Sequence, residues 1–309
     1  MFYSVIIPTI GRSTLSRAVN SVLEQQFDAA PYEVIVVNDS GEPLAHEPWH
    51  EIERVRIVHT NQRERSFARN CGAAVGQGEY FYFLDDDDWL LPGGLSSFWE
   101  LSQRAPQAAW LYGGVRVVGE DECVLAERNS RLAGNCLAQV MGGAWVPIQS
   151  SIIRASDFFA VGGYSLFIRG TEDQDLCRRI AAHGRFANTN SVVACLYRGE
   201  SWQTSTDYGR ATEDTRRSRD DVVSQPGTLR QMLASASGSY WKGRVVHVYA
   251  GLALWHWRHR RRLPALSCAV QGGLALLLSL PSVLRRDFWR AMRDAHVPGS
   301  LHFLQMDWE

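Results

Sequence analysis

Lysine is all but missing from this chain of 309 residues: Lys242 stands alone among 32 basic side chains, and the rest are arginine. The formal net charge is −1, so no global positive field exists to hold nucleic acid. The six cysteines (71, 123, 136, 177, 195 and 268) are scattered, with no Cys-x-x-Cys and no paired histidine. That excludes a disulfide scaffold and a thiolate metal site, and leaves reduced, partly buried thiols of a cytosolic protein. No basic stretch opens the chain at Met1-Phe2-Tyr3-Ser4, so no secretory signal is expected and the expected location is the cytoplasm. A comfortable membrane-spanning run is lacking as well. The 17 uncharged residues 265–281 fall short of one and are diluted by Gln271, Gly272, Gly273 and Ser279. A buried helix pair, docking at a membrane interface and a true span all stay open for that stretch. No internal repeat is present.

What is there suffices for a large α/β domain, with a hydrophobic share of 45%. Val5-Ile6-Ile7, closed by Pro8-Thr9, reads as a buried strand. Leu15, Ala18, Val19, Val22 and Leu23 come next at helical spacing, with Ser13 or Thr14 as N-cap. Val34-Ile35-Val36-Val37 is a second continuous β-branched run, so the pair forms a βαβ unit in a parallel sheet covered on both faces. Ligands bind beyond the carboxyl ends of such strands, where Thr9 and Asp39 lie. Residues 54–59 alternate like a half-exposed strand, and 66–75 are helical until Gly76-Gln77-Gly78 ends them. Residues 89–101 read as loop and helix. Residues 108–118 read as strand material interrupted by Gly113-Gly114. Gly162-Gly163-Tyr164 marks a turn, Thr171-Glu172-Asp173-Gln174-Asp175 opens a helix, and 192–197 form a last strand. The charge-dense segment 212–221 reads as mobile, with Gln225-Pro226-Gly227 as a break before a helical, aromatic and basic C-terminal region.

The chain is organised around Tyr80-Phe81-Tyr82-Phe83-Leu84-Asp85-Asp86-Asp87-Asp88-Trp89, an aromatic strand running into four consecutive carboxylates. Adjacent carboxylates repel one another unless water or a cation separates them. At the end of a buried strand, hard oxygens of this kind suit Mg²⁺ or Mn²⁺ shared with the phosphates of a nucleotide.

Taken together, Val5-Ile6-Ile7-Pro8-Thr9, Val36-Val37-Asn38-Asp39-Ser40, Ala68-Arg69-Asn70-Cys71-Gly72, Phe83-Leu84-Asp85-Asp86-Asp87-Asp88-Trp89 and Thr171-Glu172-Asp173-Gln174-Asp175-Leu176 resemble a family 2 glycosyltransferase of the GT-A fold over residues 3–205. The resemblance implies a Rossmann-like, mostly parallel mixed sheet over 1–208, succeeded by a C-terminal helical region, 209–309, that packs on the core or associates with a membrane. It implies an inverting transfer from a nucleotide-diphosphate sugar, UDP-sugars favoured, to a glycan or lipid-linked acceptor in surface polysaccharide or glycolipid synthesis. A divalent metal, Mn²⁺ or Mg²⁺, would sit on Asp85 and Asp87, with Asp88 left to cap the segment that follows. Pro8, Thr9, Asp39, Arg69, Asp86 and Glu172 would bind the nucleotide sugar, Asp39 at the base and Asp86 at the ribose. Asp173 would be the catalytic base.

Three departures from the family pattern matter. Asn38 stands where a first acid is usual. Glu200 stands where many relatives carry a histidine; it is either a metal ligand or a loop acid. The Gln-x-x-Arg-Trp sequence of processive synthases is absent, so single addition is expected. A nucleotidyltransferase would need a glycine-rich loop where Thr9-Ile10-Gly11-Arg12 has one glycine. A phosphatase would need its aspartate at the end of the first strand. The remaining alternative is a catalytically silent nucleotide- or glycan-binding module.

Overall fold

Strand β1 (Tyr3–Thr9) forms where the sequence is continuously apolar because both of its faces are covered, and β2 (Tyr32–Asn38) is buried along its whole length for the same reason. A computed structural model of the protein describes residues 2–144, 146–198, 208–234 and 238–293. Helix α1 (Leu15–Leu23) joins the two strands and buries Leu15, Ala18, Val19 and Val22. Thr14 occupies its N-cap position without a side-chain hydrogen bond, so the expected cap is not made. Then follow β3 (Val55–His59), α2 (Arg65–Val75), β4 (Tyr80–Phe83), β5 (Trp89–Leu90), α3 (Gly94–Arg104), β6 (Ala108–Val118) and β7 (Val124–Arg128). After them come α4 (Leu137–Met141), β8 (Ser151–Arg154), α5 (Ala155–Ala160), α6 (Glu172–His183) and β9 (Arg185–Tyr197). The C-terminal helices are α7 (Tyr208–Ser224), α8 (Thr228–Ala234), α9 (Gly238–Arg258), α10 (Arg262–Leu278), α11 (Leu280–Val283) and α12 (Arg286–Arg293).

All the strands lie in one mixed sheet of order β3-β2-β1-β4-β8-β6-β9-β5, with β7 added on β6. The first four are parallel to one another, with Tyr3 opposite Tyr32 and Tyr80, and β6 runs parallel to β9. Strand β8 runs antiparallel between β4 and β6. The carboxyl ends of β1, β2 and β4 therefore open on one edge, and the candidate residues sit there.

Some local expectations are met and others are corrected. The end of α2 falls where expected, at Val75, with Gly76 extended at φ −66° and ψ 138°. Gly78 is required by close approach, since a Cβ there would collide with the Ser4 backbone nitrogen and lie 2.7 Å from the Tyr3 carbonyl carbon. Gly113-Gly114 does not interrupt β6. It shifts the register against β9 and lets that strand close in, with a Cβ at Gly113 falling 2.7 Å from the Ser191 carbonyl oxygen. The segment 212–221 belongs to α7, where Thr215, Ser218 and Val222 are buried along one face and Arg216 pairs with Asp220 at 2.6 Å. Charge density there marks a solvated helix face rather than mobile chain. The break at 225–227 is present, with Gly227 at φ +84°.

The chain divides into two compact units, Met1–Gly134 with Val146–Asp214, and Asn135–Trp145 with Thr215–Glu309. The first holds the sheet and the second is helical. No helix among the described residues is long and apolar enough to cross a membrane.

Candidate active site

The four aspartates continue β4 into a tight turn closed by a hydrogen bond from Asp88 N–H to the Asp85 carbonyl, 3.1 Å. Past the turn, Trp89 and Leu90 pair antiparallel with Cys195 and Ala194 of β9, and the Asp88 carboxylate accepts the Tyr197 N–H at 2.8 Å. This folding sorts the acids. Single carboxylate oxygens of Asp85, Asp87 and Asp88 lie within 4.8 Å of one another. Asp86 turns the other way, accepting the Thr9 hydroxyl at 2.6 Å and Arg12 at 2.6 Å. Arg12 also reaches Asp87 at 3.1 Å.

Arg69 on α2 is the hub. Its guanidinium, 1% exposed, donates to Asp85 at 2.6 Å, to Asp173 at 3.3 Å and to Glu172 at 3.4 Å, with the Tyr164 ring 5.1 Å away. Helix α6 presents Glu172 and Asp173 in its first turn, where acids suit the positive end of the helix. These two aim at Arg69, whereas Asp175 pairs with Arg179 at 2.6 Å. Asn70, next to the hub, exchanges hydrogen bonds with the Tyr164 backbone at 2.8 and 2.9 Å and so fixes the residue that follows the Gly162-Gly163 turn. Gln149 donates to the second oxygen of Asp85 at 2.7 Å.

The electrostatics derive from these partners. Burial works against Asp85, but Arg69 and Arg65 outweigh it and hold its carboxyl below the usual range. Burial, with Asp85 beside it, pushes Asp87 up and Asp88 far up. Asp173 is pushed up to about 7 by burial, against the pull of Arg69 and with Glu172 adding to the rise. Asp39 is held low despite burial, because its carboxylate accepts the Thr60 hydroxyl at 2.7 Å and the Gln62 and Glu64 N–H groups at 2.8 and 2.6 Å. The Arg63 N–H adds to these, so the loop 60–64 takes up most of the carboxylate's acceptor capacity.

The donor set fits a hard dication. Asp85, Asp87 and Asp88 offer only carboxylate oxygens, and the crowding that raises the last two is what a divalent ion relieves. Of the residues singled out in the sequence, Thr9, Asp85, Asp86 and Asp87 come together at the ends of β1 and β4. Arg69, Glu172 and Asp173 join them through the hub, and Asp39 stands at the end of β2. Pro8 lies in β1 opposite Val37. Asn38 binds the Ser40 hydroxyl and the Glu42 carbonyl and so builds the turn after β2. Glu200 lies outside the described residues. Sequence reasoning missed Arg12, Tyr164 and Gln149, and left Asp88 aside as a cap for the adjoining segment. A cation just past β1 and a turn signal at 162–164 were the only hints of the first two.

A parallel half-sheet that ends in an acidic turn, bound through a buried arginine to a second carboxylate pair, defines an α/β protein with a charged site at the carboxyl ends of its strands. The chain belongs to glycosyl transferase family 2, whose model matches residues 4–170. It is 23% identical over 211 residues to Staphylococcus aureus poly(ribitol-phosphate) beta-N-acetylglucosaminyltransferase TarP, a match covering 66% of this chain and 60% of TarP. It is 32% identical over 120 residues to the Escherichia coli putative colanic acid biosynthesis glycosyl transferase WcaA, covering 35% of this chain and 40% of WcaA. A crystal structure of S. aureus TarS 1-349 in complex with UDP-GlcNAc shares the fold at a TM-score of 0.59 and 14% identity, over 87% of this chain and 90% of that one. The sheet and its flanking helices are thus the GT-A fold, with C-terminal helices added.

Proposed function

We propose that the protein is an inverting, metal-dependent glycosyltransferase that adds one sugar, hexosyl or related, from a UDP-sugar to a hydroxyl of a glycan or lipid-linked acceptor. Surface polysaccharide or glycolipid synthesis at the cytoplasmic face of a membrane is the setting. Family membership supports the reaction class. The donor reading is supported by TarS, crystallised with UDP-GlcNAc and with UDP, and by the N-acetylglucosaminyltransferase name of TarP.

The observation that carries the reading is the Arg69 hub, which fastens Asp173 to the same guanidinium that holds Asp85 of the acidic turn. An acceptor hydroxyl is a poor nucleophile at neutral pH, and Asp173 takes its proton as the new glycosidic bond forms. With its carboxyl pushed up to about 7, Asp173 is a stronger base than an ordinary carboxylate and is still largely ionised in mildly alkaline solution. One base and one displacement give inversion at the anomeric carbon. Asp85, Asp87 and Asp88 would hold Mn²⁺ or Mg²⁺, and a divalent ion there would supply positive charge against a leaving diphosphate. Asp39 stands at the end of β2 on the side of the base, and Thr9 and Asp86 border the ribose, with Pro8 shaping the floor. Arg69 supports the nucleotide indirectly, because its Nη1 and Nη2 groups are given to carboxylates. Glu172 acts in the same way, from the other side of the guanidinium.

Asp173→Asn tests this. Calorimetry with UDP-sugars and Mn²⁺ is expected to show donor binding within about twofold of wild type, while transfer and slow donor hydrolysis fall by at least about 10²-fold. Turnover close to wild type in that variant would remove Asp173 from the mechanism.

A further inference from the structure

Helix α10 of the helical unit is built with its small residues inward and its large ones outward. Ala265, Gly272 and Ser279 are buried, and Gly272 sits against α9, where a Cβ would lie 3.2 Å from that of Tyr249. The opposite face carries Leu263, Leu266, Val270, Leu274, Leu277 and Leu278, spaced by three, four, four, three and one, so they share one stripe of the helix. All are exposed, Leu263 by 82% and Leu278 by 80%. Leu280, at 56%, and Leu284, at 92%, continue the apolar surface past the end of the helix. A soluble helix normally shows the reverse pattern, and an uncovered leucine stripe of this length marks an interaction surface.

Charge identifies what covers it. Arg258, Arg260, Arg261 and Arg262 are exposed before the stripe, and Arg285, Arg286, Arg290 and Arg293 after it. Between residues 258 and 293 there are eight arginines and a single acid, Asp287, on a chain whose net charge is −1. A second copy meeting this face about a two-fold axis would set basic ends against basic ends in either direction of the helix. An anionic lipid surface accepts both features at once, taking leucines among the acyl chains and arginines at the headgroups.

We propose that α10 lies flat in the interface of an anionic membrane, with the leucine stripe inserted and the arginines before and after it on lipid phosphates. No helix among the described residues is long and apolar enough to cross a bilayer. The inference extends the reading of an acceptor at the membrane face, but its test reads lipid binding separately from transfer.

Flotation of the full chain with phosphatidylcholine vesicles, with and without phosphatidylglycerol, tests it. Binding is expected to the anionic vesicles, to be weak on neutral ones, and to weaken as salt rises. Leu266→Glu/Leu274→Glu and Arg285→Ser/Arg286→Ser are each expected to lower anionic-vesicle binding at least about tenfold. Both pairs are exposed, so far-UV dichroism and UDP binding should match wild type. No binding to anionic vesicles, or binding that neither double variant weakens, overturns the proposal. So does a dimer in sedimentation velocity that Leu266→Glu/Leu274→Glu dissolves, which would assign the stripe to a second copy. Loss of transfer with vesicle binding intact would count against the proposed reaction and leave the docking surface standing.

Discussion

Replacing Arg69 by methionine removes a cation that is 1% exposed and keeps most of its volume. Asp85, Asp173 and Glu172 then lose their common partner, at 2.6, 3.3 and 3.4 Å respectively. Breaking a buried ion pair from one side costs about 3–5 kcal/mol, because the remaining charge is left without compensation. The cost must depend on pH, and the sign can be derived. In the wild type Arg69 holds Asp85 below its ordinary value, which contributes stability that is present above the unfolded carboxylate range and lost as pH falls. In the variant both Asp85 and Asp173 rise. The folded state then binds more protons than the unfolded chain, and stability increases as pH falls. Both shifts act in one direction, so the gap between wild type and Arg69→Met is widest above pH 7 and narrows toward pH 5. Urea unfolding monitored by tryptophan fluorescence at the two pH values measures it. A gap that is absent, or that widens on acidification, would refute the hub as the electrostatic centre of the site. Arg69→Lys should recover only part of the loss, since one ammonium cannot span three carboxylates in the geometry of a planar fork.

Acid titration of Asp173 gives a second expectation. With its carboxyl near 7, kcat/KM should fall below about pH 7 towards one decade per pH unit, and a profile flat down to pH 5 would exclude it as the base. Arg12 is about half exposed, so its pairing with Asp86 and Asp87 is partly screened. Arg12→Ala should tighten Mn²⁺ binding, measured by electron paramagnetic resonance without nucleotide, by about two- to fivefold, and Asp88→Asn should weaken it; the opposite signs would show that the acidic turn does not hold the ion. Gly78→Ala drives a methyl group into the β1 backbone and should lower stability by about 1–3 kcal/mol or more in thermal unfolding, whereas a neutral result would mean that β1 and the turn before β4 are free to separate.

The parallel half of the sheet was legible because fully buried strands are written as uninterrupted apolar runs: residues 5–7, 34–37 and 80–83 announce themselves without neighbours. The antiparallel half was not. β8 has four residues and β5 has two, too few for any periodicity, and each exists because a partner from elsewhere in the chain closes on it. Gly113-Gly114 misled for a related reason: a glycine pair reads as a break in isolation but serves close approach once β9 lies alongside. At the site, residue types were legible and partnerships were not. Nothing local in Ala68-Arg69-Asn70 reveals that the arginine gathers Asp85, Glu172 and Asp173, or that the asparagine pins Tyr164 beneath it.

The four-aspartate run shows why that distinction matters for chemistry. As a sequence its members differ only in position, and position suggested Asp85 and Asp87 for the metal, with Asp88 left to cap the adjoining segment. The turn closed between Asp85 and Asp88 instead brings Asp88 back beside them. Its tether is the Tyr197 N–H, 109 residues further along. The last strand in the chain thus fixes the third carboxylate of the candidate metal centre, while Thr9 and Arg12 engage Asp86, with Arg12 reaching Asp87 as well. Four identical side chains are sorted by their hydrogen-bond partners into three candidate ligands and one carboxylate bound to Thr9 and Arg12. Weakening the β5–β9 pairing should therefore lower Mn²⁺ affinity without touching a carboxylate. Cys195→Pro, which removes a backbone donor opposite Trp89, is the substitution to make, and unchanged Mn²⁺ binding in a folded Cys195→Pro protein would show that the turn holds its shape by itself.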